Sequence, residues 1–327
     1  MTDLSRYPEF ENPMARPRYT GLATFMRLPH VDPETHAAKL DEIDIGVIGV
    51  PYDGGVTNRP GSRHGPREVR NQSSLLRVHN QSTGVCPYEL CRIADLGDAW
   101  VPSPFELEQS HRTIQEHFDR LVQHGVMPLA VGGDHSVSLP ILRALAQDQP
   151  VGMVHIDAHC DTGDDYMGSK FHHGAPFSRA VDEGLLDPKR TVQIGIRGSV
   201  NDPDVWKFSH DSGMTVIYMD ELASIGIDAA VAQAREVVGA GPTYFSFDID
   251  VLDPAYAPGT GTPEIGGLST LDAQRMIRGM SGLNFIGADL VEVSPPFDHG
   301  GLTAMAGANL LFEQLCVLAE SLQSRRA

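Results

Sequence analysis

Cysteine is scarce in this chain: four residues in 327, Cys86, Cys91, Cys160 and Cys316, with no C-x-x-C spacing. A disulfide-dense scaffold is excluded, and a reducing, cytoplasmic setting is expected. Basic charge is also short, with 25 Lys and Arg against 43 Asp and Glu for a formal net charge of −18. Such a chain lacks the surface that displaces counterions from phosphate, so nucleic acid is not an expected partner. Long apolar runs are missing too. No stretch of 18 uncharged apolar residues occurs, and the opening MTDLSRYPEFENPMARPRY holds no apolar core, so neither a membrane span nor a signal peptide is expected. What is present is a 41% apolar content, enough for a sizeable core and too much for global disorder. The surplus carboxylates are then either solvated surface or, in part, a site that needs negative charge.

The first 40 residues are rich in Pro, Arg and aromatics without helical or strand periodicity. They read as an arm wrapping a surface or a neighbouring subunit, with a disordered tail as the alternative. From residue 41 to 327 no repeat or composition break divides the chain, which reads as one α/β domain. Short apolar runs of strand length fall at 43–50, 127–133, 151–157, 191–197, 215–220, 243–250 and 285–293, and each is too apolar for a one-sided surface strand. Helical patterns lie between them at 104–124, 136–147, 175–185, 227–238, 270–280 and 304–321. This alternation predicts a parallel sheet covered by helices.

In open parallel sheets, ligands gather beyond the carboxyl ends of the strands, where loops and helix N-termini converge. Those ends carry Asp134 and His135, then Asp157, His159 and Asp161, then Asp248 and Asp250, and finally Glu292. Residues two apart on an extended chain share a face, so the D-x-H-x-D of 157–161 and the D-x-D of 248–250 each present their side chains together. Carboxylates at this density repel unless cations intervene. Four Asp and two His form an oxygen-rich set without thiolate, suited to Mn²⁺, with other divalent metals such as Ni²⁺ as alternatives. Six side chains are too many for one ion and suit two ions bridged by shared carboxylates, an arrangement that acidifies water for nucleophilic attack. His155, inside its strand, reads as a packed or supporting histidine.

The strings GGDHS (132–136), DAHCD (157–161), SFDIDVLDPAYAPGTGTPEIGGLS (246–269) and VEVSPP (291–296) closely resemble the ureohydrolases, that is, arginases, agmatinases and related guanidino-acid hydrolases. The resemblance runs from about residue 20 to 320. It implies a three-layer α/β/α fold around a mostly parallel eight-stranded sheet, a binuclear manganese centre, hydrolysis of a guanidinium group to urea and an amine, and assembly as a homo-oligomer, trimer or hexamer. Carried onto this chain, it assigns His135, Asp157, Asp161 and Asp248 to one metal and His159, Asp157, Asp248 and Asp250 to the other. It also implies that His173, preceding Gly174, is the proton shuttle in preference to His172, that Asp161 takes part in proton transfer, and that Glu292 pairs with the substrate guanidinium.

Where arginases carry an Asn two residues after the last ligand, this chain has Gly163, which points away from arginine as substrate. The segments TVQIGIRGSV and VVGAGPTYFSFDID resemble the guanidinopropionase and guanidinobutyrase branch. Within that branch the aromatic Tyr166 resembles the guanidinopropionases, where a phenol would shorten the pocket and offer a hydrogen bond to a carboxylate. The expected substrate is therefore 3-guanidinopropionate, with 4-guanidinobutyrate, agmatine or an alkylguanidine as alternatives. A reading of another class is an inactive assembly subunit of a heteromer with an active paralogue.

Overall fold

A computed structural model describes Tyr7 and residues 17–326, so most of the expected arm of residues 1–40 lies outside the described residues. Eight strands form one sheet: β1 (Ile45–Val50), β2 (Ile93–Asp98), β3 (Met127–Gly132), β4 (Val151–Ile156), β5 (Leu186–Ile196), β6 (Thr215–Tyr218), β7 (Thr243–Asp248) and β8 (Phe285–Val291). Their order is β2-β1-β3-β8-β7-β4-β5-β6, and every neighbouring pair is parallel. The sheet is thus wholly parallel where the sequence led us to expect mostly parallel.

Strand alternation sorts side chains into two cores. Ile45, Val47, Leu129, Val131, Val154, Ile156, Phe245 and Phe247 join the helices Ile227–Val238, Thr270–Gly279 and Leu302–Arg326 on one face. Ile48, Val50, Ala130, Met153 and Tyr244 join Leu107–Gln123, Ser138–Leu145 and Pro176–Asp182 on the other. A sheet buried on both faces needs apolar residues at both phases, which is why its strands read as unbroken apolar runs. Leu302–Arg326 is long and apolar enough to cross a membrane, but 83% of its apolar stretch is buried inside the fold, where it serves as a core helix.

Five elements departed from the sequence pattern: β2 and the helices Gly65–Gln72, Pro87–Leu90, Lys207–Ser212 and Met219–Ile225. In β2 the buried carboxylate of Asp95 interrupts the apolar run, and the chain around residues 25–31 closes over it. Phe25 N–H donates to Asp95 Oδ2 at 2.7 Å, and Val31 N–H donates to its carbonyl at 2.9 Å. Tyr7 is buried against the start of β2, where Ile93 N–H donates to its hydroxyl at 2.9 Å. The described parts of the arm therefore cover the sheet's own edge.

Candidate metal centre

The four central strands, β3, β8, β7 and β4, end side by side, and the acidic and histidine side chains follow them directly. Their convergence does not come from strand alternation as the spacing suggested. The chain leaves β4 at Asp157, whose Oδ1 accepts the N–H of His159 at 2.6 Å, turning the backbone back on itself. Asp248 accepts the N–H of Asp250 at 2.8 Å and Asp134 accepts the N–H of Ser136 at 2.9 Å, each starting a single 3-10 turn. Short aspartate turns therefore fold the ends of β3, β4 and β7 inward over the same space.

His135 lies at the centre. Its Nδ1 stands 3.1 Å from Asp157 Oδ2, 2.9 Å from Asp161 Oδ2 and 3.1 Å from Asp248 Oδ2, yet makes no hydrogen bond. The opposite nitrogen explains the tautomer. Ser246 Oγ donates its one proton to Asp289 Oδ1 at 2.7 Å, so it must accept from His135 Nε2–H at 2.8 Å. A bare imidazole lone pair then faces three carboxylate oxygens, an arrangement that calls for a metal cation or, without one, a proton on Nδ1. The second cluster brings together Asp157, His159 and Asp250, with His159 Nδ1 3.1 Å from Asp250 Oδ2 and 3.4 Å from Asp157 Oδ1. His155 differs. Gln193 Nε2 donates to its Nδ1 at 3.1 Å, which leaves Nε2–H to donate to Asp157 Oδ2 at 2.7 Å, so it braces a carboxylate and offers no free lone pair.

Electrostatics make the same demand for positive charge. Burial pushes Asp248 well above the usual carboxylate range, and the charges of Asp250 and Asp157 push it further. Asp250 is raised mainly by burial, which outweighs the pull of His159. Burial would raise Asp157 as well, but the imidazoles of His155, His135 and His159 outweigh it and hold that carboxyl well down. Without cations these groups must collect protons; two divalent ions on the six side chains would remove that need.

Glu292, directly after β8, is 1% exposed and adopts φ +65°, and Asp161 adopts φ +51°. Two non-glycine residues in the left-handed region at one site mark stored backbone strain that the surrounding packing enforces. Glu292 Oε1 accepts from His135 N–H at 2.9 Å and from His173 Nδ1–H at 2.8 Å, while Oε2 is buried and makes no hydrogen bond. His173 is buried beside it, and its basicity rises to about 9: burial opposes the imidazolium, and the adjacent Glu292 charge prevails. His172, the competing neighbour, instead accepts from Gly174 N–H at 3.2 Å and donates to the Asp164 carbonyl at 2.8 Å, holding the loop.

A cavity of about 390 Å³ opens over these groups, with His159, Asp161, His173 and Asp248 in its walls and Ser199, Asn201 and Trp206 toward its mouth. Tyr166 is not part of its lining. The ring is 44% exposed and lies 5.7 Å from that of His172. Gly163 has a steric reason: a Cβ there would sit 2.7 Å from the Gly174 carbonyl, leaving no room for the asparagine of arginases. Cys160 is buried, and burial pushes its thiol up to about 12, so it offers no thiolate.

Several wall residues escaped the sequence reading, Arg197 and Thr57 among them. Arg197 commits its donors to backbone carbonyls, including Asp250 at 2.8 Å and Glu264 at 2.7 Å, and so ties the loops after β5 and β7 together. Thr57 comes from the loop after β1 and touches His173. Nothing in its local sequence announces it; only the preceding GVPYDGG, an apolar strand ending in turn residues, signals that this loop starts at the same edge of the sheet.

A family model described as the arginase family matches residues 43–316. The guanidinopropionase of Pseudomonas aeruginosa is 57% identical over 307 residues, covering 93% of this chain and 94% of that protein. The guanidinobutyrase of the same organism is 48% identical over 303 residues, covering 92% and 94%. Among solved structures, the proclavaminate amidino hydrolase of Streptomyces clavuligerus superposes with a TM-score of 0.88 at 40% identity, covering 93% of this chain and 99% of that one.

Proposed function

Because the chain belongs to the arginase family, we propose that it is an amidinohydrolase cleaving 3-guanidinopropionate to urea and the corresponding amine. The observation that carries this reading is Glu292 Oε2, a buried carboxylate oxygen without a hydrogen bond beside the His/Asp cluster. A planar cation with N–H donors is its natural partner. The choice among guanidino acids is supported by the higher identity to guanidinopropionase than to guanidinobutyrase, 57% against 48%.

In this reading His135, Asp157, Asp161 and Asp248 would hold one divalent ion, and His159, Asp157, Asp248 and Asp250 the other. The hard oxygen-rich set suits Mn²⁺, with Ni²⁺ as the second choice. Bound there, the ions would supply Lewis-acid charge stabilisation and acidify water near neutral pH. The chain's own residues do the rest. Glu292 binds and orients the guanidinium, Asp161 takes a proton from the attacking side, and His173 holds the proton that the leaving amine requires. A cytoplasmic homo-oligomer, trimer or hexamer, belongs to the same reading, and four free buried cysteines fit a reducing compartment.

One observation favours agmatine as a second substrate. Among the described residues Arg197 is the one guanidinium in the cavity wall, and its Nε and Nη2 donors are spent on backbone carbonyls, whereas the exposed Asp202 in the same wall suits a cationic tail. Urea release from 3-guanidinopropionate, 4-guanidinobutyrate, agmatine and an alkylguanidine, measured on protein loaded with Mn²⁺ or Ni²⁺, decides between them. The highest kcat/KM is expected for 3-guanidinopropionate. Turnover of agmatine alone would move the substrate, and no turnover at two ions per chain would establish the inactive-subunit reading instead.

A further inference from the structure

His173 is gripped at both ring nitrogens. Nδ1 lies 2.8 Å from Glu292 Oε1, and Nε2 lies 2.8 Å from Thr57 Oγ1 and 3.2 Å from Thr57 N. A carboxylate can only accept, so Nδ1 carries a proton, and the change between imidazole and imidazolium takes place at Nε2. The Thr57 backbone N–H can serve only the bare nitrogen. The hydroxyl serves both forms, donating to bare Nε2 or accepting from Nε2–H once its own proton turns toward solvent, to which Thr57 is exposed.

The loop that presents Thr57 is fixed from beneath. Buried Asp53 accepts the N–H of Gly61 at 2.7 Å and of Arg63 at 3.2 Å, and pairs with the Arg63 guanidinium. Gly55 N–H donates to Asp134 Oδ2 at 2.7 Å, and the Gly55 carbonyl accepts His173 N–H at 2.9 Å. The histidine's backbone and its ring are thus held by residues two apart in one braced loop, which leaves the ring one orientation.

We propose that Thr57 is a positioning residue for His173: its hydroxyl keeps Nε2 satisfied in both protonation states, so the ring changes state without turning away from Glu292. This rests on the role of His173 proposed above. Thr57→Val keeps the branched shape and the backbone N–H but deletes the hydroxyl; Thr57→Ser keeps the hydroxyl. In metal-loaded full-length enzyme with the preferred substrate of the panel, Thr57→Val is expected to lower kcat by about 10- to 100-fold, the loss of one hydrogen bond to a charged group. KM should stay within about threefold, and Thr57→Ser should recover kcat to within about threefold.

A wild-type kcat in Thr57→Val overturns the proposal, as does a serine variant as slow as the valine variant, which would make the methyl group the contributor. A raised KM at unchanged kcat also overturns it, because Thr57 would then bind substrate. His173→Ala separates the two levels: if it is slow, these outcomes bear on Thr57 alone, and if it keeps wild-type kcat, the reading of His173 itself falls.

Discussion

Glu292→Gln isolates the charge of one carboxylate with almost no change of shape. In the native chain Oε1 already accepts two hydrogen bonds, from His135 N–H at 2.9 Å and His173 Nδ1–H at 2.8 Å, and Oε2 accepts none. The glutamine carbonyl can keep both accepted bonds, so the amide group takes the place of Oε2 and puts N–H donors where the unpaired carboxylate oxygen stood. Against a guanidinium, which only donates, an attraction becomes a donor–donor conflict. One lost hydrogen bond to a charged group is worth about 1.5–3 kcal/mol, and the unpaired donors add a comparable penalty, for about 3–5 kcal/mol in total. That corresponds to a fall in kcat/KM of about 10²- to 10⁴-fold. Urea release measures it, and elemental analysis of the same samples should still find two ions per chain, because Glu292 is outside the proposed ligand set. A variant within about tenfold of wild type at full metal content would refute the guanidinium role. Activity lost only in step with metal would show instead that Glu292 acts by holding His135.

Metal removal carries a pH signature. Asp248 and Asp250, and with them His135 and His159, all have raised proton affinity in the metal-free fold, so they contribute stability while protonated and lose it as pH rises through their folded-state values. Chelator-treated protein should therefore lose ground to metal-loaded protein as pH rises from about 5 to 8, and free metal at 100 times its Kd should restore about 2.7 kcal/mol. A gap between the two thermal midpoints that stays constant with pH would contradict this. Asp44 gives the opposite sign. Burial would raise its carboxyl, but Arg92 and Arg326 outweigh it and lower it to about 2, so its contribution is complete above the unfolded value near 4 and fades as pH falls through about 2. Both arginines are nearly half exposed, which reduces the expected cost of Asp44→Asn to about 1–2 kcal/mol at pH 7. Urea unfolding of metal-free wild type and variant should show that difference shrinking toward pH 2; an equal difference at both pH values would remove the ion pairs as its cause.

The strands that carry the site were legible because a sheet covered on both faces buries every position, so β1, β3, β4, β7 and β8 announce themselves as apolar runs. β2 did not, because Asp95 interrupts its apolar run and is held there largely by partners far away in sequence, Arg70 Nε at 2.9 Å and Phe25 N–H at 2.7 Å, besides the local Gly97 N–H at 2.8 Å. The helices Lys207–Ser212 and Met219–Ile225 were missed for a different reason. They are one to two turns long and bury only Ser209 and Leu222, which leaves no periodic stripe to read.

At the site itself, legibility followed chemical uniqueness. Holding cations and a guanidinium demands carboxylates and imidazoles, and at the ends of apolar strands those residues stand out singly: His135, Asp157, His159, Asp161, Asp248, Asp250 and Glu292. How they converge was not legible, since the aspartate turns and the left-handed backbone of Asp161 and Glu292 are enforced by packing that no local pattern records. Thr57 meets His173 across 116 residues, and a threonine in a turn-rich loop signals nothing by itself. Tail recognition is less legible still, because a carboxylate or an amine at the far end of a substrate can be met by many neutral groups. Ser199, Asn201 and Trp206 line the mouth without any residue type being required there, and Tyr166, chosen by resemblance, stands outside the lining. The reaction class of such a fold can therefore be read from its sequence before its substrate can, since the strands fix the chemistry and the loops choose what reaches it.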